Sequence, residues 1–179
     1  LKASRFTGTR PPEFLLTHPV TEKRIADTKS RARQYPRKVY TNNLYYQLMR
    51  ARAQMSLSSS SSEAVKTFRA KLSGNSRNPE ADQYGLILAL TLDGKLNEAD
   101  ELLKPLIKAH PNQIAYIIAA AELNIRQGDT ERGINRIRKT LGVSPGNHPL
   151  TMTLAQFLLK TGQAHKAAAL LEEHVKKHK

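Results

Sequence analysis

The sequence contains no cysteine and no tryptophan, and only 6% of its 179 residues are aromatic. Without cysteine there is no disulfide framework, no thiolate nucleophile and no cysteine-ligated metal. Long hydrophobic runs are also missing. Apolar stretches such as 85–92 and 114–121 fall far short of the roughly 20 residues that a membrane-spanning helix needs. Negative charge is scarce: 15 Asp and Glu stand against 29 Lys and Arg, a net charge of +14. Such a balance admits nucleic acid, anionic lipid or acidic protein as a partner and does not choose among them. A single large core would call for more aromatics. A stack of small units does not, because each unit is buried only against its neighbours. The chain opens at Leu1, inside a polar stretch with no signal peptide pattern, so a piece of a longer protein is expected.

What the sequence does have is a period. Gly94, Gly128 and Gly162 are spaced by 34 residues; so are Ala99, Gly133 and Ala167, and so are Pro111 and Pro145. Apolar residues at helical spacing flank each of these marks. A period of 34 with helix–turn–helix content is similar to the tetratricopeptide repeat. The fold expected is all-α: a superhelix of about four helical hairpins, the first degenerate, preceded by one basic helix. Residues 1–43 are expected to form a lead-in tail with its linker helix, and 44–179 the repeat domain.

In chain order, Pro19 suits the first turn of a helix over about 20–34, which Tyr35-Pro36 stops. Helices over 44–57 and from Glu63 to about residue 73 make a first hairpin, with a serine run in place of the turn glycine and Ser62 as cap. The next hairpin pairs 80–92 with 97–109, and Pro105 is expected to bend or loosen its second helix. The third and fourth repeat this pattern. The small residues Ala99, Gly133 and Ala167 mark where the two helices of a hairpin approach closely. The fourth unit begins at His148, and its outer apolar face is expected to be uncapped.

In a repeat of this kind the first helix of each hairpin lines a concave groove. Counting Glu80, Ile114 and His148 as first positions gives Tyr84, Leu88 and Thr91, then Ile118, Glu122, Ile125 and Arg126, then Met152, Gln156, Leu159 and Lys160. Arg126 and Lys160 fall at the same position one unit apart and could together hold an acidic segment or a terminal carboxylate. The plainer alternative is that both are solvated surface cations.

A second constellation lies before the repeats. Glu13-Phe14-Leu15-Leu16-Thr17-His18-Pro19, followed by Arg24-Ile25, resembles the tail of the HtpX-related zinc metallopeptidases and the CAAX prenyl proteases, in particular the periplasmic branch that carries tetratricopeptide repeats. The resemblance implies that His18 approaches the zinc, either as ligand or as hydrogen-bond donor, and that Arg24 orients a carboxylate or stabilises developing negative charge. It implies zinc in the parent protein, a periplasmic setting in a Gram-negative bacterium, and protein partners: outer-membrane barrel proteins or their assembly machinery. The sequence departs from that family in lacking His-Glu-x-x-His, so no metal site is complete here, and neither a cofactor nor hydrolysis is expected of this stretch alone. His174 and His178 have helical ligand spacing, but Val175 stands where the general-base glutamate belongs.

Residues 1–40 hold ten Lys and Arg against three acidic residues, half of the total excess. Nucleic-acid binding would want aromatics interleaved with those cations, and only Phe6, Phe14, Tyr35 and Tyr40 are near. Cover for a protease core is the preferred reading and nucleic acid is not an expected partner. Peripheral membrane association stays open. The rival reading is a generic repeat scaffold, or a basic binder of nucleic acid or anionic surfaces, unrelated to proteolysis.

Overall fold

Turn-forming residues divide the sequence at regular intervals. In the computed structural model, which describes residues 21–35 and 43–177, a helix fills each interval. The chain divides between Thr41 and Asn42 into two units. In the first, α1 (Thr21–Arg33) is a basic helix whose side chains from Arg24 onward are exposed. Its Ile25 is 46% exposed, and an exposed Asp27–Arg31 ion pair at 3.1 Å spans one turn.

The second unit holds α2 (Leu44–Ser56), α3 (Ser61–Ser73), α4 (Pro79–Leu92), α5 (Leu96–Ala109), α6 (Ile114–Arg126), α7 (Thr130–Val143), α8 (His148–Lys160) and α9 (Ala164–Lys177). No strand occurs among the described residues. The fold is a tetratricopeptide-repeat array. The helix starts follow from side-chain chemistry. Asn43, Ser60, Asp129 and Asn147 each accept a hydrogen bond from a backbone N–H of the first turn, satisfying a donor that the helix cannot. The cap of α3 is therefore Ser60, not Ser62, and the helix begins two residues earlier than the glutamate suggested.

The hairpin turns share one device. Gly94, Gly128 and Gly162 have φ of 78°, 90° and 74°, the left-handed region that a side chain disfavours. Each lets the next residue's N–H reach back to a carbonyl of the helix's last turn: Lys95 to Leu90, Asp129 to Asn124, Gln163 to Leu158, at 2.8–3.0 Å. The repeated glycine thus ends each first helix and aims the chain into the second. Pro105 does not interrupt α5, which runs unbroken past it with the ring exposed.

Packing then builds the array. The first helices α2, α4, α6 and α8 lie side by side in that order, and each second helix packs on the first helix of the following unit. The core runs through the stack as two clusters. One is centred on Leu48, Phe68, Tyr84, Ile87, Leu103 and Tyr116. The other is centred on Ile118, Ile134, Ile137, Leu150 and Leu158. On α9 only Ala167 is buried; Leu170 and Leu171 are partly covered and Val175 is 55% exposed.

Candidate partner-binding groove

The row of first helices forms a groove of about 270 Å³. Each helix gives it the same positions, because a fixed repeat keeps equivalent side chains in line. Arg52 on α2, Leu88 on α4, Glu122 on α6 and Gln156 on α8 make one row. Met55 and Ser56, Thr91 and Leu92, Ile125 and Arg126, and finally Lys160 make the row one turn further on, with Phe157 beside Gln156.

Of the residues read from the sequence as groove positions, Leu88, Thr91, Glu122, Ile125, Arg126, Gln156 and Lys160 come together here. Tyr84 and Ile118 do not face a partner. Both are buried, because at that level the neighbouring first helices touch and the side chain goes into the contact. Met152 and Leu159 are exposed but lie outside the hollow. Sequence reasoning missed Arg52, Met55 and Ser56. They precede Leu88, Thr91 and Leu92 by 36 residues rather than 34, since the serine-rich first unit is offset from the strict period. Leu92 and Phe157 were also missed. Leu92 stands 34 residues before Arg126 and so at the same position of its unit.

The electrostatics of the groove have a fixed and a free part. Arg52 donates to Glu122 Oε1 at 2.9 Å and to Tyr84 Oη at 3.3 Å, tying α2 to α4 and α6. Burial works against charge on Arg52, yet Glu122 and Tyr84 together lift its pKa above the ordinary value. Tyr84 is held neutral: burial raises its pKa, and the nearby guanidinium only partly offsets this. Its ring leans on Tyr116, 5.6 Å away between centroids. Tyr116 donates to Glu80 Oε1 at 2.6 Å, and His110 Nε2 lies 3.1 Å from that same oxygen. These bonds tie α2, α4 and α6 to one another through side chains. Arg126 and Lys160, by contrast, are exposed and form no ion pair among the described residues. The groove therefore offers apolar surface from Met55, Leu92 and Ile125 over a floor of the buried Leu88 and Phe157, edged by two cations that form no ion pair among the described residues.

Arg24 is exposed on α1, and His18 lies outside the described residues. No group of three His, Asp or Glu side chains able to hold a metal comes together among the described residues. His174 faces His148 instead, with Nδ1 of His148 and Nε2 of His174 3.0 Å apart; His178 lies outside the described residues. No helix of the described residues is long and apolar enough to cross a membrane.

The tetratricopeptide-repeat family matches residues 124–179. The beta-barrel assembly-enhancing protease of Escherichia coli K12 is 32% identical over 168 residues, which cover 93% of this chain and 34% of that protein. The chain resembles the beta-barrel assembly-enhancing protease. The Yersinia pestis protease of that name is 26% identical over 96% of the chain, and a putative one from Vibrio cholerae 30% identical over 93%. The resemblance spans the lead-in residues as well as the repeats, so the His18 and Arg24 segment and the groove belong to one alignable stretch. The chain spans about a third of the length of these beta-barrel assembly-enhancing proteases.

Proposed function

We propose that this chain is the protein-interaction part of a zinc-dependent metallopeptidase that works in the periplasm on outer-membrane protein assembly and quality control. The groove takes an extended or helical segment of an outer-membrane barrel protein or of its assembly machinery. The observation that carries this reading is the alignment of four first helices into one apolar strip bounded by Arg126 and Lys160. Apolar residues of the bound segment would displace water from Met55, Leu92 and Ile125, and an acidic group on it would meet the two cations. Arg52, already engaged by Glu122, shapes the groove more than it recruits. His18 and Arg24 would serve the catalytic centre of the whole protease, and zinc would be held there with residues outside this chain. Nucleic acid has no place in this reading. Peripheral contact with the membrane is compatible with it.

The test is retention. The immobilised chain is offered an envelope extract, and barrel proteins or their assembly machinery are expected to bind. The double variant R126E/K160E should keep its helical circular dichroism and lose at least about tenfold in retention, the worth of a charge-assisted contact. Equal retention by the double variant would overturn the proposed use of the groove.

A further inference from the structure

The second helix of the third unit breaks the pattern of its neighbours. α7 carries Arg132, Arg136, Arg138 and Lys139 against one acid, Glu131. Arg136 stands 34 residues after Leu102 and 34 before Leu170, and both leucines pack partly buried against the core. An arginine thus occupies a leucine's packing position. Arg132 and Lys139 lie one turn to either side of it, and the three cations line a hollow of about 690 Å³ walled also by Pro111, Ile117, Asn135 and Thr140. No carboxylate lines it.

The arrangement is costly for the fold alone. Arg136 Nε is shielded from solvent and meets no acceptor among the described residues, and an unsatisfied buried donor is destabilising. Like charges four residues apart on a helix repel. Burial and Arg132 both push the Arg136 pKa down, and Asp100, itself bound to Lys104 at 2.9 Å, only partly offsets this. None of Arg132, Arg136 and Lys139 forms an ion pair among the described residues. A polyvalent anion in the hollow would remove all three penalties together. It would give the Nε–H an acceptor, neutralise the row of charges, and take a further hydrogen bond from the exposed Asn135.

We infer that the hollow between α7 and the α5–α6 connection is a binding site for a phosphate-bearing anion, with Arg136 as its central donor. A guanidinium suits this because its planar fork matches two phosphate oxygens at once. The phosphate can be free or can be a lipid headgroup, and the two are separable by experiment. This inference does not depend on the groove.

Pyrophosphate is titrated into the 179-residue chain by calorimetry, and vesicles of phosphatidylglycerol are compared with vesicles of phosphatidylcholine. Saturable uptake of pyrophosphate without vesicle binding identifies a free phosphate ligand. Binding of phosphatidylglycerol vesicles alone identifies a headgroup. In either case R136L, which restores the leucine of the neighbouring units, should weaken uptake about tenfold or more while melting no lower than the wild type. R132Q, at an exposed position, should weaken it too and serves if R136L fails to fold. R138Q removes the same charge from an exposed α7 position outside the hollow and should leave uptake within about twofold, whereas diffuse attraction to a basic surface would respond equally to all three. Absence of uptake of both probes, or equal losses in R136L, R132Q and R138Q, would overturn the site.

Discussion

Two tyrosines show how single residues set the chemistry of this scaffold. Tyr84 and Tyr116 are fully buried at adjacent first helices, each with its hydroxyl tied to a charged group on another helix. Tyr116 is the more constrained: burial and its hydrogen bond to Glu80 both hold the phenol neutral, far above its ordinary range. A phenol whose pKa is higher folded than unfolded contributes stability that is complete below the unfolded value, about 10, and lost as pH rises beyond it. The array should therefore weaken steeply in alkali. Urea midpoints measured from neutral pH into alkali should fall from about pH 10 upward in the wild type. In Tyr116→Phe the fall should be shallower, although its stability at neutral pH is lower by the lost bond, about 1 kcal/mol. Parallel pH curves for the two proteins would refute this assignment. The tyrosines carry no such signal in the sequence: both sit in plain helical patterns, and only the partners Arg52 and Glu80, 32 and 36 residues away, set them apart.

At the scale of helices, the hairpins hold together because small residues sit where the backbones come closest. A Cβ on Gly133 would lie 2.7 Å from Ile125 Cγ1 and 2.8 Å from the Ala121 carbonyl oxygen. The second of these neighbours is backbone and cannot turn aside. Gly133→Val should push α7 from α6 and cost about 1–3 kcal/mol, more than the gain in helix propensity returns. Chemical denaturation settles the sign, and an unchanged or raised midpoint would contradict the close approach. This level was largely legible beforehand. The recurring glycines mark the turns, the recurring small residues mark the contacts, α4 and α5 follow within a residue of their expected ends, and α8 begins at the expected His148. What failed were details set by side-chain competition. Ser60 rather than Ser62 caps α3 within a run of equivalent serines, and α3 accordingly starts two residues before Glu63.

For the repeat unit as a whole, recurrence turns helices into a surface. Four first helices repeat one face, and the repeat brings residues as distant in sequence as Arg52 and Lys160 into the same groove. The sequence held this only where the period was strict. Counting by 34 finds Leu88, Glu122 and Gln156, and overlooks Arg52 because the serine loop displaces the first unit by two residues. Counting also cannot tell a position that faces solvent from one closed off by the next helix, which is why Tyr84 and Ile118 are core rather than groove. If the groove is where partners bind, its accessible residues should touch them and the outer face should not. The direct measurement is site-specific photo-crosslinking in cells making the whole protease, with the probe placed in turn at Gln156, at Arg126 and at the exposed Lys108 on α5. Adducts to barrel proteins or their assembly machinery from Gln156 and Arg126, and none from Lys108, are the predicted result; adducts from Lys108 with none from the groove positions would contradict it.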